Sequence, residues 1–317
     1  MAPRKRILPS PARPASLASA SRAGSDYGVS DQPDWRTVAW RNHLRAVTVD
    51  ARRVHLVDIG SGAQAPVVFV HGLGGRWQNW IENIPRVARE RRVVALDLPG
   101  FGRSQLPTAP ISIAGYAAVL DRLCDLLELE SVVLVGNSMG GAIAAETALR
   151  FPARVERLVL VSAAAISIAD FNQAPTAALM ASINRTPLGS PAGVRATIGR
   201  RRARHLAFAA LVRHPTLIGT DTLCELVGGR GAPGLVGAMA AMISNELRAE
   251  LSEIAAPALI VHGRDDMLVP VADSVWLAEQ LRGAQLEIFE DTGHLVMLER
   301  PVRFDELLLR FASAQIN

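Results

Sequence analysis

The stretch VVLVGNSMGGAIAAETALRF (132–151) places Ser138 where a run of β-branched and apolar residues gives way to an alanine-rich helical pattern, with Gly136, Gly140 and Gly141 around it. A serine hydroxyl is a poor nucleophile until a base takes its proton, and the base needs a carboxylate to hold its tautomer. Two other stretches supply those residue types. His294 lies in EDTGHLVMLERP, beyond one apolar run, and Asp265 and Asp266 lie in HGRDDMLVP, beyond another. Serine, imidazole and carboxylate point to acyl transfer through a covalent intermediate. On the pattern G-x-S-x-G alone, Ser138 is equally readable as a small residue filling a crowded bend. Its place between a short apolar strand and a helix is the setting that exposes a nucleophile above a sheet, with the following N–H groups turned toward an oxyanion.

These loops can meet only if one sheet carries them. Apolar runs at 67–70, 92–97, 131–136, 157–162, 258–263 and 285–290 alternate with the helical patterns WQNWIENIPRVARE, IAGYAAVLDRLCDLLEL, GGAIAAETALRF, VADSVWLAEQLRG and PVRFDELLLRFA. Continuous apolar strands between helices predict an α/β fold, a mostly parallel central sheet with helices on both faces. AVTVDARRVHLVDIGSG (46–62) alternates and predicts a hairpin ahead of it. In such sheets ligands sit beyond the carboxyl ends of the strands, where Ser138, Asp266 and His294 all fall. Residues 165–248 carry no convincing strand and run Ala-, Leu-, Met- and Gly-rich, predicting a helical lid inserted over that crevice. The core is then 35–164 and 249–317.

Composition narrows the class. Of 317 residues 49% are hydrophobic and 20% charged, enough for a large globular core, and no apolar run reaches the roughly 18 residues of a membrane span. The net charge of +4 resides in the first thirty residues, through Arg4, Lys5, Arg6, Arg13 and Arg22 against Asp26, so no basic footprint for nucleic acid marks the folded part. Residues 1–34 are basic and Pro/Ala/Ser-rich and read as a disordered tail. That start lacks the apolar centre of a secretory signal, so a cytoplasmic protein without obligatory membrane contact is expected. Trp35, Val38 and Leu44 form a loose amphipathic pattern that packs on the domain or touches a membrane surface. Cys124 sits in a helical pattern as a buried small hydrophobe; neither it nor Cys224 has ligand spacing around it. No metal cluster, phosphate loop or dinucleotide fingerprint is present, so no cofactor and no metal are expected.

With these motifs in place the chain resembles an α/β-hydrolase-fold enzyme with a helical lid, over about residues 45–315. The order Ser, Asp, His is that family's order. The family's acid sits in a G-x-x-D-x-x-x-P loop, which here runs from Gly263 to Pro270 and selects Asp266, with Asp265 as the alternative and Asp170, after run 157–162, as a fallback. HGLGG (71–75) is similar to the family's oxyanion loop. The resemblance assigns the two oxyanion N–H groups to Leu73 and Met139, and a loop-ordering role to His71 beside Gly72. DLPGFGRS (97–104) resembles a structural turn, which gives Asp97 no catalytic part. His43, His55, His205, His214 and His262 read as core or surface residues. The run GRRRARH (199–205) is a solvated face or a site for a substrate carboxylate.

A serine at the elbow disfavours the branches of the family that use aspartate there. The resemblance and the apolar lid imply a carboxylesterase for small to medium apolar esters. GNSMGG is also similar to the elbow of C–C bond hydrolases of the meta-cleavage-product type. Those enzymes tend to carry tryptophan after the histidine, where Leu295 stands, and a longer, serine-containing oxyanion loop. Lactonase, perhydrolase or acyltransferase chemistry would use the same residues, and a ligand-binding protein without turnover would keep the fold.

Overall fold

The structure is a computed structural model and describes residues 12–164, 191–228, 232–245 and 250–315. β1 (Leu44–Val49) and β2 (Arg52–Ile59) form the predicted hairpin, joined by Asp50 and Ala51 at φ 49° and 59°. Such a two-residue left-handed turn matches the twist of the strands it joins. β3 (Val67–Val70), β4 (Val93–Leu96), β5 (Val132–Asn137), β6 (Val155–Val161), β7 (Ala258–Gly263) and β8 (Gln285–Phe289) follow the predicted runs closely. The sheet order is β1-β2-β4-β3-β5-β6-β7-β8, antiparallel at β1–β2 and β2–β4 and parallel from β4 to β8.

Among the described residues the α-helices are α1 (Ile84–Val87), α2 (Ile113–Leu126), α3 (Met139–Arg150), α4 (Pro191–Gly199), α5 (Arg201–Phe208), α6 (Thr220–Val227), α7 (Leu235–Ile243), α8 (Val271–Gln280), α9 (Val296–Glu299) and α10 (Pro301–Ser313). Side chains alternate across the strands. Val68, Val70, Leu134 and Leu160 pack with Leu120, Ile143 and Leu277 of α2, α3 and α8, whereas Phe69, Val133, Val135 and Val261 pack with Trp80, Ile84, Phe304 and Leu308. Both faces are covered, which is why the central strands read as unbroken apolar runs. Among the described residues no helix is long and apolar enough to cross a membrane.

The pattern 77–90 is not one helix but a 3₁₀ turn, Trp77–Trp80, followed by α1. Pro85 can stand only at a helix start and breaks the run. Residues 12–34, read as part of a disordered tail, pack on the domain: Ala15, Ala20 and Tyr27 are buried, and Gly28 N–H donates to the Glu299 carbonyl at 2.7 Å. Composition hid this because one aromatic and two alanines suffice once their neighbours find polar partners. Trp35 also packs inward, its Nε1–H donating to buried Glu82 at 3.0 Å. Of the predicted lid, 165–190, 229–231 and 246–249 lie outside the described residues, and the described remainder holds α4–α7 and no strand.

Candidate active site

Ser138 joins β5 to α3 at φ 56° and ψ −118°, a strained conformation for a residue with a side chain. The bend is fixed by backbone: Ser138 N–H donates to Val161 at 2.9 Å, and its carbonyl accepts from Gly141 at 2.9 Å. A Cβ on Gly136 would lie 2.1 Å from the Gly140 carbonyl oxygen, and one on Gly140 2.3 Å from that of Val70. Strand and helix thus touch backbone to backbone. Gly136→Ala is therefore expected to lower stability by about 3 kcal/mol, since neither contact can yield without moving main chain. A urea midpoint equal to the wild type's would refute this.

Asp266 and His294 meet side chain to side chain. The loops after β7 and β8 bring His294 Nδ1 to 2.7 Å from Asp266 Oδ2, both side chains buried. Asp266 Oδ1 accepts from the N–H groups of Leu268 at 2.8 Å and Val269 at 2.9 Å. Burial opposes the charge, but the facing imidazoles of His294 and His262 outweigh it and hold the carboxyl well below the usual range. Asp265 turns the other way, 3.5 Å from Arg213 and partly exposed. His262 is a residue the sequence reading missed: its Nε2 stands 3.2 Å from Asp266 Oδ2, and its Nδ1 2.6 Å from Ser274 Oγ. No spacing signal separates it from an ordinary core histidine.

The HGLGG loop approaches from β3. His71 is fully buried and burial lowers its pKa. Its Nε2 accepts from Leu98 N–H at 3.0 Å, so Nδ1 carries the proton and donates to the Gly72 carbonyl at 2.7 Å. Gly72 lies so close to the elbow that a Cβ there would stand 3.0 Å from Ser138 Cβ. Met139 opens α3, so its N–H has no partner within the helix. Arg76 ties this loop to α6 through the Glu225 carbonyl at 2.6 Å and carboxylate at 3.0 Å.

Ser138 and His294 open into one cavity of about 80 Å³, lined also by Leu73, Leu211, Leu226, Leu268 and Leu295 and by Asn79 and Asn137. The two asparagines went unread: Asn137 was only an x in its motif, and Asn79 fell in a helical pattern. Among the described residues lining this cavity none is an arginine. Arg201 and Arg202 face solvent, and Arg204 donates to the Ile218 carbonyl at 3.1 Å. Asp97 accepts from Trp77 N–H and Arg103 N–H at 2.9 Å each, holding a turn as expected. Asp170 lies outside the described residues.

The family model for the alpha/beta hydrolase fold matches residues 65–301. A 2-hydroxy-6-oxo-2,4-heptadienoate hydrolase of Pseudomonas putida is 32% identical, over 86% of this chain and 96% of its own. A 2-hydroxymuconate semialdehyde hydrolase of a Pseudomonas species is 33% identical, over 85% and 93%. Among solved structures, an esterase from Exiguobacterium antarcticum is 25% identical with a TM-score of 0.68, over 84% of this chain and 98% of that one. The chain belongs to the α/β-hydrolase fold family.

Proposed function

We propose that the protein is a serine hydrolase that cleaves carboxylic esters of small to medium, largely apolar substrates. The observation that carries this reading is the cavity in which Ser138 and His294 meet five leucines, with His294 held from behind by Asp266. Because Nδ1 donates to Asp266, Nε2 is the basic nitrogen and takes the Ser138 proton as the hydroxyl attacks the carbonyl. Charge on the carbonyl oxygen falls to the N–H groups of Leu73 and Met139, each such donor contributing about 2.7–4 kcal/mol in comparable sites. His294 then protonates the departing alcohol, and water releases the acid by the reverse steps. Leu211 and Leu226 come from the 165–248 insertion, which supports its role as a lid.

A second reading is C–C bond hydrolysis of vinylogous diketones. It is favoured by the activities for which the two Pseudomonas relatives are named. Leu295 in place of tryptophan favours the ester. The comparison that decides is hydrolysis of p-nitrophenyl esters from acetyl to palmitoyl beside a 2-hydroxy-6-oxo-2,4-dienoate. Ester turnover with an optimum at short or medium chains is the expected result. Dienoate cleavage with the higher kcat/KM, and esters left almost untouched, would replace it with the second reading.

A further inference from the structure

Glu299, the last residue of α9, is fully buried, and one of its oxygens serves three donors. Oε2 accepts from Tyr27 O–H at 2.5 Å, Gly293 N–H at 2.8 Å and Arg213 N–H at 2.8 Å. Burial pushes its pKa up to about 7 against those hydrogen bonds. An apolar residue of the same size would avoid that cost, so its use lies in what only an acceptor can hold.

What it holds is the peptide next to His294. Gly293 is fixed by Glu299, while the N–H groups of His294 and Leu295 both donate to the Leu211 carbonyl at 3.1 and 3.2 Å. Arg213, two residues beyond Leu211, is bound by the same carboxyl oxygen. The loop of His294 and the stretch 211–213 are thus laced together through one side chain. Tyr27 closes the arrangement from a third direction. Its hydroxyl accepts from His214 N–H at 2.7 Å while donating to Glu299, and the Arg300 guanidinium, paired with Asp26, stacks 4.8 Å over its ring.

We propose that Glu299 is a positioning residue for His294, and that Tyr27 completes it, so that the segment ahead of β1 is a working part of the active site. This rests on the role given to His294 above. Glu299 touches no reacting atom. It sets where the imidazole stands between Asp266 and Ser138, and a displacement of about 1 Å there is enough to cost about 10²-fold in rate.

The test uses the full chain with Glu299→Ala, Glu299→Gln and Tyr27→Phe, two readouts and a melting curve for each. The first is steady-state hydrolysis of p-nitrophenyl acetate well below the melting temperature. Glu299→Ala is expected to lose about 10²-fold in kcat with KM little changed, because substrate contacts are untouched. Glu299→Gln keeps an acceptor oxygen for the two N–H groups and is expected to recover part of that loss. Tyr27→Phe, which removes one hydroxyl, is expected to lose about tenfold. The second readout is the low-field proton resonance of the His294–Asp266 hydrogen bond in protein carrying nitrogen-labelled histidine, expected to shift or broaden in Glu299→Ala and Tyr27→Phe. Wild-type kcat and an unmoved resonance in folded Tyr27→Phe and Glu299→Gln would overturn the proposal. If Glu299→Ala does not fold, those two variants decide alone. If the wild type hydrolyses no ester and a fluorophosphonate leaves Ser138 unlabelled, the reading of the function fails, and the resonance still decides the positioning.

Discussion

Ser138→Ala is expected to lower kcat for ester hydrolysis by about 10⁶ while leaving the denaturation midpoint close to the wild type's. Loss on that scale follows from the division of labour at the bend. Without the hydroxyl no acyl-enzyme forms, and His294 and Asp266 are left with no proton to move. The contacts that shape the bend remain, because they belong to the backbone: the Ser138 N–H still reaches Val161, and the carbonyl still accepts from Gly141. Alanine tolerates φ 56° no better and no worse than serine, so strain is unchanged. The N–H groups of Leu73 and Met139 also remain, and a residual rate of about 10³–10⁴ over water is expected from them and from binding. Activity within tenfold of the wild type would show that Ser138 is not the nucleophile.

The parts of this arrangement differ in how far they could be read in advance. Ser138 was legible because a nucleophile at a strand-to-helix bend needs glycines where backbones touch, and Gly136 and Gly140 stand at 2.1 and 2.3 Å clearances that admit no Cβ. Asp266 and His294 were legible because each follows an apolar strand at the sheet's carboxyl edge. The two-faced burial of β3–β7 wrote itself as runs without alternation. Contacts between distant segments left no such mark. Tyr27 meets Glu299 across 272 residues, and nothing in the Pro/Ala/Ser-rich stretch around it announces a buried hydroxyl. His262 touches Asp266 only because β7 ends in a tight loop, and Asn79 reaches the cavity only because Pro85 stops the helix its neighbours suggest. Local chemistry is spelled by neighbours in sequence. Positioning is done by residues that become neighbours only on folding.

The second large effect expected is at Asp266. Asp266→Asn should lower kcat by about 10⁴ with the fold retained, through the tautomer of His294 rather than through loss of a contact. Oδ1 of the native carboxylate accepts two main-chain N–H groups, from Leu268 and Val269, and an asparagine has to keep its oxygen there to satisfy them. Its NH₂ then faces His294 Nδ1, which must become the acceptor. The proton moves to Nε2, and the imidazole can no longer take one from Ser138. The same substitution also changes the acid limb of the stability curve. Because the folded state holds Asp266 below its ordinary value of 3.8, its charge contributes stability that is present above that value and lost as pH falls through the lowered one. Asparagine has no such charge, so stability should fall less between neutral and strongly acidic pH than in the wild type. Asp265→Asn provides the contrast, since Asp265 is partly exposed and faces Arg213 at 3.5 Å, where an ion pair contributes little. Its kcat should stay near the wild type's. Equal losses in the two variants would mean that the carboxylate acts by general charge, and that the hydrogen bond from His294 Nδ1 does not select the working tautomer.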